Sequence, residues 1–83
     1  MKLTLRYFAS IREALGASET IAVEEGATVA GVRDALIARG GAHAVVLARG
    51  RALRSALNQA LCDETALVAE GSELAFFPPV TGG

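Results

Sequence analysis

The chain closes on Glu73-Leu74-Ala75-Phe76-Phe77-Pro78-Pro79-Val80-Thr81-Gly82-Gly83. Through Phe77 this stretch reads as a strand. Leu74 and Phe76 fall on one face, Ala75 and Phe77 on the other, the period of two that a pleated backbone imposes. Pro78 and Pro79 are the only prolines in the chain, and they stop the strand. Proline fixes φ and has no amide hydrogen to donate, so a sheet does not extend through the pair. Residues 78–83 are therefore expected to leave the body as an extended arm. Gly82 and Gly83 carry no side chains, so the tip of that arm fits a narrow channel and its terminal carboxylate is unhindered. Glycines at a terminus also read simply as a frayed end. The rest of the chain decides between these readings.

Residues 2–8 alternate as well, with Leu3, Leu5 and Tyr7 on one face and Lys2, Thr4, Arg6 and Phe8 on the other. This is the pattern of a half-buried strand, with Phe8 out of place on the polar face, where it fits either a turn into the core as the strand ends or exposure to a partner. Ser10-Ile11-Arg12-Glu13 fits the S-x-x-E capping box, which predicts a short helix over 10–15 ended by Gly16, with Ile11, Ala14 and Leu15 inward. Residues 19–23 alternate and are rich in β-branched side chains, a second strand pairing with the first. Thr28 reads as an N-cap, because Val29, Val32, Ala35 and Leu36 follow at helical spacing up to Gly40-Gly41. Gly31, inside that helix, costs about 1 kcal/mol relative to alanine.

Residues 42–47 fit either a helical turn or a strand. Short strands are expected at 51–54 and 56–62, with Leu57 and Leu61 sharing a face, and Leu67-Val68 fits a turn or an edge segment. The elements run strand, short helix, strand, main helix, short strands, final strand. They predict an α+β fold in which a mixed sheet packs on one main helix, as one domain spanning 1–83. A single helix covers one face of the sheet. Phe8 and Phe77, which alternation assigns to the other face, are then exposed, and exposed apolar clusters mark binding surfaces.

Composition narrows the function. A chain of 83 residues is one small domain that buries roughly 60–65% of its unfolded surface. Net charge is −1 and the charges are interspersed, so there is no footprint for nucleic acid or an anionic membrane. No apolar run approaches the ~20 residues of a membrane span, and the opening residues lack a signal-peptide core. A cytoplasmic protein is the simplest expectation. Cys62 is the only cysteine and His43 the only histidine. Cys62 reads better as a small buried hydrophobe than as a nucleophile, and His43 as a surface or helix-end residue. Asp34, Glu24 and Glu25 read as solvated charge. No acid–base pair, phosphate loop or metal-ligand spacing is visible, so an independent enzyme is not expected. The reactive group is then best sought in the terminal carboxylate. Adenylation turns a carboxylate into a mixed anhydride, which a sulfur nucleophile can displace to leave a thiocarboxylate.

The closing stretch, Glu70 to Gly83, resembles the C-terminus of the small subunits of molybdopterin synthase, the MoaD family. Tyr7-Phe8-Ala9-Ser10-Ile11-Arg12-Glu13 resembles that family's first strand and helix, and Leu57-Asn58-Gln59 its internal strand motif. The resemblance spans essentially the whole chain and is least distinctive over 42–54. It implies a β-grasp, ubiquitin-like fold and a sulfur carrier for molybdenum cofactor biosynthesis. By that resemblance Gly83, following Gly82, is adenylated by an E1-like adenylating enzyme using ATP, converted to a thiocarboxylate with sulfur from a donor protein, and inserted into the large subunit of a heterotetramer. Sulfur then passes to cyclic pyranopterin monophosphate to build the dithiolene. The chain would be a non-catalytic subunit with no permanently bound cofactor and no metal. Phe8, Leu61 and Phe77 match apolar residues that contact the large subunit, Leu61 reading equally as an ordinary core residue, and Pro78, Pro79, Val80 and Thr81 match the arm. The alternatives are a carrier for another sulfur pathway, such as thiamine synthesis, and a ubiquitin-like protein modifier.

Overall fold

The computed structural model describes residues 1–79; Val80, Thr81, Gly82 and Gly83 lie outside the described residues. Five strands and three helices follow in order. They are β1 (Lys2–Tyr7), α1 (Ala9–Leu15), β2 (Ser18–Ala22), α2 (Val29–Ile37), α3 (Gly41–Val46), β3 (Arg54–Leu57), β4 (Ala60–Cys62) and β5 (Glu73–Phe77). The sheet order is β2-β1-β5-β3-β4. β1 and β5 run parallel in the middle, and the other neighbouring pairs are antiparallel. The first and last strands of the chain thus lie side by side at the centre. This is the mixed, one-helix-layer sheet expected from the alternation.

The alternating residues build the core as read. Leu3, Leu5, Tyr7, Ile21, Leu74 and Phe76 meet Ile11 of α1 and Val29, Val32 and Leu36 of α2, all nearly inaccessible to solvent. All three helices contribute to this one layer, so among the described residues nothing lies over the opposite sheet face.

Several local expectations are corrected. Ser10 does not cap α1. Phe8 occupies the cap position without a side-chain bond, and its carbonyl accepts the Ile11 and Arg12 amides. The cause is β1, which stays paired to its end through the Tyr7 amide on the Ala17 carbonyl. The chain must turn at once, and Ala9 adopts φ +54° to do so. Ala14 is exposed, not inward. Thr28 does cap α2, its hydroxyl accepting the Gly31 amide at 3.1 Å. That helix ends at Ile37, ahead of the glycines; Gly40 and Gly41, at φ +76° and +57°, turn the chain into α3, which resolves 42–47 as helical.

The strands expected at 51–54 and 56–62 are instead one hairpin, 54–57 with 60–62. Asn58 and Gln59 both take left-handed φ (+50° and +71°) and form its two-residue turn. Leu57-Asn58-Gln59 is therefore the end of a strand and a turn. The register pairs Ala56 with Leu61 and Leu57 with Ala60, so Leu57 and Leu61 lie on opposite faces. Leu57 packs on the core and Leu61 is 65% exposed. Leu67 forms an isolated antiparallel bridge with Thr28.

Candidate functional site

The uncovered sheet face collects the residues that alternation left over. Ladder pairs place Leu61, Ala56, Ala75 and Arg6 in one row across β4, β3, β5 and β1. Phe77, paired with Arg54, stands in the next row. Phe8 leaves the end of β1 on the same side. Its ring meets the edge of Phe77, with centroids 6.4 Å apart and planes at 86°. Small Ala56 and Ala75 beside large Phe8 and Phe77 leave a groove of about 280 Å³, walled by Arg6, Gln59 and Glu73.

Each part of this face has a local cause. The Tyr7 ring is buried, and its hydroxyl donates to Glu19 Oε2 at 2.8 Å, which fixes the last residue of β1 inward and its successor outward. The guanidinium of Arg6 lies 5.9 Å from the Phe8 centroid and bonds Glu73 Oε1 at 3.1 Å. Phe8 is thus held between a cation and an aromatic edge while remaining 42% exposed. Pro78 and Pro79 follow Phe77 directly and are half-buried. Of the expected site residues, Phe8 and Phe77 touch, Leu61 shares their face, and Pro78 and Pro79 adjoin it. Val80, Thr81, Gly82 and Gly83 lie outside the described residues.

Sequence reasoning missed the polar ties behind this face. Glu19 Oε2 receives Tyr7 and lies 2.8 Å from His43 Nε2, while Arg39 bonds Oε1 at 2.7 Å. Burial alone would raise the Glu19 carboxyl, but the bonds from His43, Tyr7 and Arg39 outweigh it and hold the group down at about 2. The Tyr7 phenol is pushed well above its ordinary value, by burial first and then by Glu19. His43 is therefore an anchor of α3 on β2. Arg33 on α2 is buried and bonds the carbonyls of Leu47, Ala48 and Arg51 and the carboxylate of Glu64. Arg49 joins the same Glu64 and also Asp34. Glu64 is lowered because these two arginines overcome its desolvation. An arginine at an inward helical position was the available signal.

Cys62 is half-buried, its thiol 3.7 Å from Ser55 Oγ. Among the described residues no group of three His, Cys, Asp or Glu is placed to hold a metal, and no helix is long and apolar enough to cross a membrane. What the described site offers is a partly exposed apolar patch beside Pro78 and Pro79.

The model of the ThiS family matches residues 5–83. The chain belongs to the ThiS family. Two curated relatives are similar over nearly their whole lengths. The molybdopterin synthase sulfur carrier subunit of Haemophilus influenzae is 40% identical over 98% of this chain and 99% of its own. That of Escherichia coli is 38% identical over 93% and 94%. Among solved structures, small archaeal modifier protein 1 of Haloferax volcanii superposes with a TM-score of 0.79 at 28% identity, covering both chains fully. A chain from the Helicobacter pylori complex of subunits 1 and 2 of the molybdopterin-converting factor shares the fold, with a TM-score of 0.69 at 24% identity over the full length of both. The ThiS-family fold is thus the ubiquitin-like α+β sheet described above.

Proposed function

We propose that this chain is the sulfur carrier subunit of molybdopterin synthase in molybdenum cofactor biosynthesis. The observation that carries the reading is the Phe8–Phe77 pair on the uncovered sheet face, Phe8 exposed and Phe77 half-buried, with Phe77 directly preceding Pro78-Pro79 on the way to the diglycine. It gives a partner something to grip next to the arm that the partner must receive. The two relatives named for this role, at 40% and 38% identity, support it. The large synthase subunit is the partner on this face. An E1-like adenylating enzyme supplies the activation, a sulfur donor protein the sulfur, and the setting is cytoplasmic.

The chemistry balances on one carboxylate. The Gly83 carboxylate attacks the α-phosphorus of ATP on the activating enzyme, releasing pyrophosphate and leaving an acyl adenylate. The terminal sulfur of a donor-protein persulfide displaces AMP to give an acyl disulfide, and a second thiol cleaves its S–S bond, leaving the thiocarboxylate on the C-terminus and a disulfide on the donor side. Its sulfur is then delivered to cyclic pyranopterin monophosphate, and water at the carbonyl restores the carboxylate. A dithiolene holds two sulfurs and each thiocarboxylate carries one, so each product consumes two loadings. This chain's own residues bind and position; Gly82 and Gly83 present no side chain to a channel that must admit the reacting end.

Reconstitution tests the reading. Thiocarboxylated chain, large subunit and cyclic pyranopterin monophosphate together should yield a dithiolene, and Phe77→Ala should require a higher carrier concentration for the same rate. No dithiolene from fully loaded carrier removes the assignment. The 28% likeness to a protein named as a modifier favours one second reading, conjugation to other proteins. Lysine-linked Gly-Gly remnants traced to this chain would support it.

A further inference from the structure

A larger groove lies at the opposite side of the molecule from the aromatic pair. It runs between the end of β2, the loop after it and the first turns of α2, and encloses about 450 Å³. Ala22, Val23, Gly31 and Ala35 line it, with Glu24 and Glu25 on its rim. β2 is also an edge of the sheet. The Tyr7 amide bonds the Ala17 carbonyl and the Val23 amide bonds the Met1 carbonyl. With the register Leu3 to Ile21 and Leu5 to Glu19, the odd-numbered residues of this strand turn their backbone groups to β1. The amides and carbonyls of Ser18, Thr20 and Ala22 therefore point away from the sheet, without a partner among the described residues. The strand Ser18-Glu19-Thr20-Ile21-Ala22 has no proline or lysine to guard that edge.

Two further features go with the groove. Gly31 is interior to α2, where glycine weakens a helix. A Cβ at that position would meet only Thr28 Oγ1, at an ordinary 3.5 Å, so packing within the chain does not demand glycine. Its effect is to leave the groove open. Glu24 and Glu25 take no ion-pair partner among the described residues, unlike Glu19, Glu64 and Glu73. The Met1 ammonium nearby is turned to the Val23 carbonyl at 2.7 Å.

We propose that β2 and this groove form a docking site for an extended segment of a partner protein. The segment adds as a sixth strand, places an apolar side chain beside Gly31, and sets a lysine or arginine against Glu24 and Glu25. Backbone pairing gives such a segment its affinity, and the groove and acidic rim select its sequence. This surface is separate from the aromatic face, so both can be occupied at once.

The probe is an acetylated, amidated peptide, Lys-Lys-Val-Ile-Val-Lys, titrated into the full chain with NMR amide mapping. Saturable shifts are expected at Ser18, Thr20, Ala22 and Gly31. Charge reversal by Glu24→Lys with Glu25→Lys should weaken binding by about tenfold, and the peptide Glu-Glu-Val-Ile-Val-Glu should bind correspondingly worse. Gly31→Leu should abolish binding, while Gly31→Ala, with its smaller side chain, should melt no lower than the wild type. The proposal is overturned by unsaturable shifts, by equal binding of the two peptides, or by shifts confined to the Phe8 and Phe77 face. Concentration-dependent shifts along β2 without peptide would also overturn it, because they place a second copy of the chain on that edge.

Discussion

Phe77→Ala should separate docking from folding. The ring is half-buried on β5 and meets Phe8 edge-on at 6.4 Å. Removing a fully buried phenylalanine costs ~3–5 kcal/mol. A half-buried ring gives up less area, and the edge-to-face contact itself contributes about 0.5–1.5 kcal/mol. The expected loss of stability in the free chain is therefore about 1–2 kcal/mol, read from guanidinium unfolding. An aromatic anchor at the centre of an interface contributes ~2 kcal/mol or more to binding, about a 30-fold loss of affinity for the large synthase subunit by calorimetry. Adding Phe8→Ala completes a double-mutant cycle whose coupling in the free chain should be about 0.5–1.5 kcal/mol. A stability loss beyond about 3 kcal/mol would mean that the ring belongs to the core. An affinity within twofold of wild type would mean that this face does not dock the large subunit. Either result refutes the reasoning.

Arg33→Ala removes four hydrogen bonds and strands the buried Leu47 carbonyl, while the Ala48 carbonyl keeps the Arg51 amide. Because Glu64 keeps Arg49, the cost should be about 2–3 kcal/mol, lowering the melting temperature by roughly 8 °C or more; a shift below about 4 °C would show the network to be dispensable. Glu19 titrates at about 2 when folded, below its ordinary 4.5, so its stabilisation is fully present above about pH 5 and is lost as pH falls toward 2. That contribution is about 2–3 kcal/mol, and Glu19→Gln should flatten the acid limb of a stability–pH profile. Leu61→Ser, at an exposed position, should change stability by less than about 0.5 kcal/mol yet weaken large-subunit binding, both measurable on one preparation.

The two central strands and the main helix were legible because one face of each is buried. Leu3, Leu5, Tyr7, Leu74 and Phe76 alternate, and Thr28 caps a run at helical spacing. The same alternation points Phe77 outward, since one helical layer covers only one face, whereas the outward position of Phe8 is decided by the buried Tyr7 before it. The hairpin at 58–59 was not legible. Asn58-Gln59 is a weak turn signal beside Asn-Gly, and Ala56 to Cys62 reads as a strand with two polar residues at its middle until register divides it. Ser10 looked like a cap because the motif is local, whereas the start of α1 is set by the distant Ala17 carbonyl pairing with Tyr7. The Glu19 and Arg33 networks join residues 12 to 31 positions apart, and nothing in local pattern announces them. Val80 to Gly83, where the proposed chemistry resides, lie outside the described residues and rest on the sequence and the family.

The most direct test is the intact mass of the chain after incubation with the activating enzyme, ATP and a sulfur source, followed by mapping of the C-terminal peptide. The account predicts replacement of one oxygen by sulfur at Gly83, unchanged by Cys62→Ser and absent when Gly83 is deleted, with the deletion melting as the wild type does. Sulfur found on Cys62 instead, or equal loading of the chain lacking Gly83, would contradict it.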